Sequence, residues 1–227
     1  MALRFTETKQ HHTGLWIFLV IVLLLMGAFG WYGYRWYTTG EMPAIALPMA
    51  HAASGISVDE SNVTPQQVTS YTVAADYPRY ISIPSLGVPS TRVFPVGLTS
   101  SNVLEQPTNI NDAAWYNKSA TPGSGGVILI DAHSTGAANN GIFTKLNTLK
   151  LGDVINLVRG DEQRFAYSVR ENKILTLDEV NALGSNTMGQ PVIQGKEGLN
   201  LTTYAGKYIP RLGAYDHRVI LRASLVE

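Results

Sequence analysis

Tyr204 and Arg218 stand where two apolar runs meet a loop, a position that often carries functional side chains. Leu199, Leu201 and Thr203 occupy alternate positions, as on the buried face of a strand. Glycine and proline residues between 206 and 213 interrupt the run, and a second run begins at Arg218. Strand ends lie at the rim of a sheet, where binding and catalytic sites are commonly built. Alone, the pattern equally describes a plain hairpin with a packed tyrosine and a solvated arginine.

The composition excludes several kinds of chemistry. Seventeen basic residues balance 17 acidic ones, so no nucleic-acid partner is predicted. The chain has no cysteine, which rules out disulfides and cysteine-based zinc sites. Its five histidines lack the spacing of a helical metal site, and we expect no metal and no cofactor. The glycine cluster at 122–126 precedes a strand and lacks the closing Lys-Ser/Thr, so it is not read as a phosphate loop.

The N-terminal region contains a stretch that could cross a membrane. No charged residue occurs between Gly14 and Tyr34, and about 20 apolar residues in a helix span a bilayer core of about 30 Å. Aromatic residues then cluster over 31–37, as at a membrane interface. A cleaved signal peptide is the alternative, since Ala50-His51-Ala52 resembles a cleavage site, but this site lies far beyond the apolar run. We therefore predict an uncleaved signal anchor over 14–37.

Flanking charges and composition predict the remaining organisation. Arg4 and Lys9 precede the span, and only Arg35 follows it before Arg79, so residues 1–13 are predicted to be cytoplasmic and the rest extracellular. Residues 38–76 are rich in Pro, Ala, Ser and Thr and are predicted to form an extracytoplasmic linker, within which 63–73 could be ordered. Residues 77–227 are long enough for one domain with its own core.

Short β-type runs dominate that domain. They are separated by turns, and they lie at 79–83, 91–96, 127–130, 153–158, 164–169, 199–203 and from 218 onward. A helical turn is predicted within 141–149 and a short helix at 177–183. Many short strands spaced by turns indicate a mainly β barrel or sandwich.

The order of these runs resembles the sortase family. Residues 127–134, Val-Ile-Leu-Ile-Asp-Ala-His-Ser, look like the sortase strand that ends in the catalytic histidine. Residues 143–155 are similar to the family's F-x-x-L-x-x-L-x-x-G-D-x-I segment. Residues 199–203 resemble the strand leading to the catalytic cysteine, and 215–219 the strand that bears the catalytic arginine. The likeness also includes 81–84 and 165–169, and it extends from Tyr77 to Val226.

The resemblance implies a fold and an activity. It implies a closed β-barrel of about eight strands with short helices, preceded by one N-terminal transmembrane helix, at a bacterial cell membrane. Sortases are transpeptidases that cut a Leu-Pro-x-Thr-Gly sorting signal in a surface protein and pass the acyl group to a cell-wall or pilin amine. A thiolate attacks, a histidine moves the proton and an arginine hydrogen-bonds the oxyanion or the substrate backbone. The likeness gives the last two roles to His133 and Arg218.

The chain departs from the family at the nucleophile. Tyr204 occupies the cysteine position if the 199–203 strand register holds, and Ala205 is the second candidate. A phenol is a poor acyl-transfer nucleophile at neutral pH without a strong base. Hydroxyl alternatives are Ser134, Thr202 and Thr203, and none is marked as activated.

Residues next to His133 and Arg218 also receive predicted roles or orientations. Asp131 and Ser134 flank His133 and could orient its ring. His217 alternates away from Arg218 along the strand, and we expect it to face outward.

Two functions therefore stay open. One is an impaired or altered sortase-type transpeptidase. The other is an inactive sortase-like module that binds sorting-signal peptides or a partner sortase.

Overall fold

The N-terminal helix α1 spans Thr13–Thr39 in the computed structural model, which describes residues 13–41, 58–100 and 103–226. Its portion Leu15–Thr39 has a mean hydropathy of 2.3 and no buried residues, so it is long and apolar enough to cross a membrane. A core helix or a signal sequence passes the same test of length and composition. The predicted cytoplasmic segment 1–13 lies almost wholly outside the described residues, and so does the linker over 42–57.

Residues 58–76 contain a short helix and contact the barrel. Helix α2 (Pro65–Thr69) is capped at its N-terminus by Thr64, which forms a reciprocal capping box with Gln67. Tyr71 donates a hydrogen bond of 2.6 Å from its hydroxyl to the Val93 carbonyl. The part of the predicted 38–76 linker from residue 58 onward thus includes ordered contacts, while the domain boundaries themselves stay predictions.

Eight strands in the described part of the chain close into a barrel in the order β1-β2-β3-β4-β7-β8-β6-β5. Helix α3 (Leu177–Met188) joins β6 to β7, and 3-10 turns occupy Pro84–Leu86, Leu146–Thr148 and Pro210–Leu212. The strands are β1 (Pro78–Ile83), β2 (Val88–Val96), β3 (Ala113–Tyr116), β4 (Val127–Ala132), β5 (Val154–Arg159), β6 (Arg164–Thr176), β7 (Gly198–Ile209) and β8 (Ala214–Leu225). This confirms the predicted fold class: a mainly β closed barrel with short helices and one N-terminal apolar helix.

Alternation along the strands builds the core. Leu199 and Leu201 of β7, and Leu221 and Ala223 of β8, are fully buried inside the barrel. Their neighbours along each strand point to the outer face. Two pairs of strands, β2 with β3 and β4 with β7, are parallel, so they cannot be joined by tight hairpins.

The glycine cluster at 122–126 serves the fold. The amides of Gly123 and Gly125 donate to the carboxylate of Glu197 at 3.1 and 2.8 Å, and the Tyr167 hydroxyl donates to the same group. Both glycines have positive φ, which aims their amides at one carboxylate. The Glu197 carboxylate therefore accepts the hydrogen bonds of the amides that a phosphate loop would offer to a ligand.

Candidate active site

The parallel pairing of β4 with β7 brings two of the predicted site residues to one end of the barrel. Asp131 is paired with Thr202 in the register, and one step further the Thr203 hydroxyl donates to the Ala132 carbonyl at 2.7 Å. His133 follows β4 directly, and Tyr204 follows Thr203 within β7. Because the strands run in the same direction, both residues leave the paired region at the same edge.

Tyr204 and Arg218 are stacked on the outer face. The guanidinium carbon of Arg218 lies 3.5 Å from the centre of the Tyr204 ring, well within the range of a cation–π contact. Both side chains are half-buried. The ring of Tyr215 lies 5.5 Å from that of Tyr204 and supports it from the β8 side. The site predicted from the two strand ends is therefore a packed cation–π pair in this structure.

His133 is buried and faces a different partner. Its Nε2 lies 2.7 Å from the carbonyl oxygen of Pro107. A carbonyl only accepts, so Nε2 carries the proton and Nδ1 is the nitrogen left to accept. Burial lowers the pKa of His133, and the bond to Pro107 opposes this effect. Within 13–41, 58–100 and 103–226 no hydrogen bond links the imidazole to Tyr204 or Arg218.

Asp131 is a buried carboxyl, which the sequence pattern did not predict. It is 6% exposed on the outer face of β4, and its Oδ2 accepts a hydrogen bond of 3.2 Å from Gln106 Nε2. Its Oδ1 is buried and has no hydrogen-bond partner among the described residues. Burial raises the pKa of Asp131 to about 6, although attraction to Arg218 and the Gln106 bond act in the opposite direction. The expectation that Asp131 or Ser134 orients the His133 ring is wrong, since Pro107 holds it.

The larger of two clefts beside this pair has a volume of about 780 Å³. Arg218 and Thr202 contribute polar groups to it, and Asn200 anchors α3 nearby by donating to the Met188 carbonyl at 2.7 Å. Its apolar lining comes from β4, β8, α3 and the loop after β2, and includes Leu129, Ile220, Val180, Met188, Leu98 and Leu104. A concave apolar surface with few polar groups is typical of a ligand site.

The smaller cleft, of about 420 Å³, lies on the other side of the stack. Tyr204 and Tyr215 line it together with Ser134 and His217. His217 shares the strand face of Val219 and Leu221, which point into the barrel, so the expectation that it faces outward is wrong. It alternates with Arg218 as predicted, but Arg218 holds the outer face. The His217 Nδ1 lies 2.7 Å from Asp216 Oδ1.

Among the described residues, no candidate hydroxyl nucleophile is hydrogen-bonded to a base. Thr203 is 1% exposed, and its hydroxyl is committed to the Ala132 carbonyl. The side chains of Ser134 and Thr202 make no hydrogen bond to a histidine or carboxylate in the described part of the chain. An adjacent base is the usual way in which a hydroxyl nucleophile is activated.

The described residues also contain no group of three or more His, Asp or Glu side chains able to hold a metal ion. The prediction of no metal and no cofactor stays a prediction.

Comparison with known proteins identifies one family model. The model described as Sortase domain matches residues 81–226, which is more than half of the 227-residue chain. No curated protein matches the chain.

Similar solved structures are also sortases. Sortase C-1 from Actinomyces oris shares 19% identity at a TM-score of 0.46, with 65% of this chain and 72% of that chain covered. The sortase D5 transpeptidase from Clostridium perfringens shares 20% identity at 0.48, with 73% and 91% covered. Sortase C2 of Pilus Island 1 from Group B Streptococcus shares 19% identity at 0.49, with 76% and 86% covered.

Asp131→Asn should raise the free energy of unfolding at pH 8 and leave it almost unchanged at pH 4. A carboxyl whose pKa rises on folding, here from 3.8 to about 6, stabilises the fold fully below its unfolded pKa. That contribution is lost as pH rises through about 6, so the ionised Asp131 carboxylate destabilises the native state at pH 8. Two pKa units correspond to about 3 kcal/mol, and we expect a gain of about 2 kcal/mol because asparagine is still polar.

Urea unfolding of the full chain in detergent micelles at both pH values measures this difference. Asp76→Asn, at an exposed position just before β1, is the matched control and should change the free energy of unfolding little at either pH. Equal effects of Asp131→Asn at pH 4 and pH 8 would contradict a buried carboxyl with a raised pKa.

Proposed function

This chain belongs to the sortase family, and on that premise we propose that it binds a sorting-signal peptide without cleaving it through a thioester. In this proposal the protein is a membrane-anchored member of the family at a bacterial surface. It keeps the peptide cleft and lacks the transpeptidase chemistry. The observation that carries the proposal is the Tyr204–Arg218 stack, at the position that the resemblance assigns to the family's nucleophile.

The lack of a thiol is the first support. The chain contains no cysteine, and the family reaction needs a sulfur that attacks a carbonyl and then leaves from a thioester. Tyr204 has no hydrogen bond to His133 or His217 among the described residues, so no base stands ready to remove its phenolic proton. The Nε2–H of His133 donates a hydrogen bond to the Pro107 carbonyl, and His133 lines neither cleft.

The larger cleft supports peptide binding. An extended Leu-Pro-x-Thr-Gly segment offers two apolar side chains followed by backbone carbonyls. The leucine and proline suit the apolar lining around Val180, Met188 and Leu104. The guanidinium of Arg218 opens into the same cleft and can donate to a peptide carbonyl. A volume of about 780 Å³ is in the usual range for such sites.

The anchored arrangement is the second part of the proposal. The apolar helix α1 spans the bilayer once, with residues 1–13 in the cytoplasm and the barrel outside, as the distribution of Lys and Arg predicts.

Protease treatment of intact cells should remove the barrel while leaving a short membrane-embedded fragment. The physical reason is that α1 and the residues before it are shielded by the bilayer and the cytoplasm. Mass spectrometry of the protected fragment measures this, and permeabilised cells are the control. Protection of residues beyond Thr39 in intact cells would contradict the topology.

A Leu-Pro-x-Thr-Gly peptide should bind the full chain in detergent micelles and remain uncut. Arg218→Ala should weaken binding at least tenfold, because a hydrogen bond to a charged donor is worth about 1.5–3 kcal/mol. Fluorescence anisotropy of a labelled peptide measures affinity, and mass spectrometry of the same sample detects cleavage. Arg164→Ala, at an exposed residue of β6 away from this cleft, is the matched control.

Three outcomes of this experiment would count against the proposal. Release of a Gly-containing fragment identifies an enzyme with a nucleophile other than a thiol. Equal binding of a scrambled peptide removes the sorting-signal specificity, and no binding at all removes the peptide site.

Tyr204→Cys should create a reactive thiol if Tyr204 holds the nucleophile position. A thiol beside the Arg218 guanidinium should have a pKa below its usual value of about 8.5, because the cation favours the thiolate. The new sulfur would bond to the threonine carbonyl carbon, the Thr–Gly bond would break, and the glycine amine would leave with a proton. Intact mass should then show a thioester adduct on the full chain.

Ala205→Cys is the matched control, since it moves the thiol by one residue to the other face of the strand. If Ala205→Cys reacts and Tyr204→Cys does not, the assigned register is off by one. If both variants fold and neither thiol alkylates faster than a cysteine at Ser61 or captures peptide, neither Tyr204 nor Ala205 holds a sortase-like acyl-transfer position.

A further inference from the structure

Residues 58–62, here called the clip, form hydrogen bonds with two segments that are distant in sequence. One segment includes Asn109, and the other is the loop at 137–139. Asp59 forms a parallel bridge with Asn109: its amide donates to the Thr108 carbonyl at 3.0 Å, and its carbonyl accepts from the Ile110 amide at 2.9 Å. The Asn109 side-chain amide returns two bonds of 3.0 Å, to Asp59 Oδ2 and to the Ser61 carbonyl. Backbone and side-chain hydrogen bonds therefore hold the clip against the segment that includes Asn109.

Glu60 holds the second segment with a single carboxylate. The backbone amides of Ala137, Ala138 and Asn139 all donate to it, the last at 2.8 Å, and the Asn139 side chain adds a bond of 2.9 Å. Successive amides aimed at one point form a nest that binds anions. Desolvation raises the pKa of Glu60, but these amides outweigh it and hold the pKa below the ordinary value, so the carboxylate is charged at neutral pH.

The fit of Glu60 against this loop is close. A Cβ on Gly136 would lie 2.3 Å from Glu60 Oε1 and 2.7 Å from Ile110 Cδ1. Gly136 is thus the point where the loop, the clip and the segment around Ile110 touch. A methyl group there would displace the carboxylate without altering Glu60 itself.

Both fastened segments contact His133. The segment that includes Asn109 also includes Pro107, whose carbonyl accepts the Nε2 proton of His133. The loop that includes residues 137–139 starts at His133 and returns to it, since the Phe143 amide donates to the His133 carbonyl at 3.1 Å. Gly141 passes so closely that a Cβ would lie 2.1 Å from the His133 carbonyl oxygen. The clip therefore joins the two segments that hold the imidazole and its backbone.

We propose that Glu60 is a positioning residue that fixes the burial and orientation of His133 through the nest at 137–139. The carboxylate closes the loop against the segment carrying Pro107, and the closed loop excludes water from the imidazole. Without the carboxylate, three backbone amides lose their acceptor and turn to water, and the ring becomes solvated. This proposal does not depend on peptide binding, because its readouts need no peptide.

Glu60→Ala in the full chain in detergent micelles should change the state of His133. Nitrogen NMR of histidine-labelled protein reports the tautomer and titration of each imidazole, and His133→Gln identifies its signal. In the unaltered chain the Nε2–H tautomer should dominate. In Glu60→Ala the pKa of His133 should rise toward its ordinary value as water reaches the ring, and amide exchange at 137–139 should become at least tenfold faster.

Chemical rescue separates a specific carboxylate from a general loosening. Sodium acetate should slow amide exchange at 137–139 and restore the His133 titration in Glu60→Ala, while equal sodium chloride should not. Gly136→Ala should reproduce the effect of Glu60→Ala without acetate rescue, because its methyl group fills the space of the carboxylate. Glu179→Ala is the matched control: its carboxylate also accepts a backbone amide, from Thr176 at 2.7 Å, but has no bond to the loop after His133.

Each outcome of these measurements either supports or overturns the role proposed for Glu60. Faster exchange at 137–139 with an unchanged His133 titration would show that the clip closes a loop without positioning the ring, which overturns it. Unchanged exchange, or failure of acetate to restore either signal, would overturn the role of the nest. If Glu60→Ala does not fold, Glu60→Gln receives the same measurements, and we expect a smaller shift in the same direction because one amide oxygen replaces two carboxylate oxygens.

Discussion

The parallel pairing of β4 with β7 is the constraint on which the rest of the site depends. Five register pairs, from Val127 with Gly198 to Asp131 with Thr202, align the two strands, and the Thr203 hydroxyl extends the alignment to Ala132. Parallel neighbours need a long crossover, and here β5, β6 and α3 form it. Helix α3 is consequently available to cover the outer face of β7, where Asn200 anchors its end. The larger cleft is a direct result of this crossover.

Arg218 interacts with both an aromatic ring and a buried carboxyl of the candidate site. Its guanidinium stacks on the aromatic ring of Tyr204, and its charge lowers the pKa of the buried Asp131 carboxyl against the effect of burial. A guanidinium that is stacked and electrostatically balanced can still donate from its edge to a ligand.

Much of the fold and part of the site could be predicted because their signals are local. Alternation over 199–203 correctly places Leu199 and Leu201 in the core, and the order of short strands correctly indicates a closed barrel. Other features depend on segments distant in the sequence. The Pro107 carbonyl determines which way His133 points, and the choice of barrel face for His217 depends on which neighbours of β8 are buried. No local pattern encodes either contact.

The two members of the Tyr204–Arg218 stack line different clefts, and this arrangement is the geometric basis of the proposed binding without acyl transfer. Tyr204 lines the smaller cleft and Arg218 the larger one, so the stacked pair forms the wall between them. Acyl transfer requires an acyl donor and an amine acceptor to meet at one carbonyl carbon. A peptide held in the larger cleft and an amine approaching through the smaller one would be kept apart by the aromatic ring. A cysteine in the same place would leave that space open, whereas tyrosine closes it and contributes a surface against which Arg218 is held.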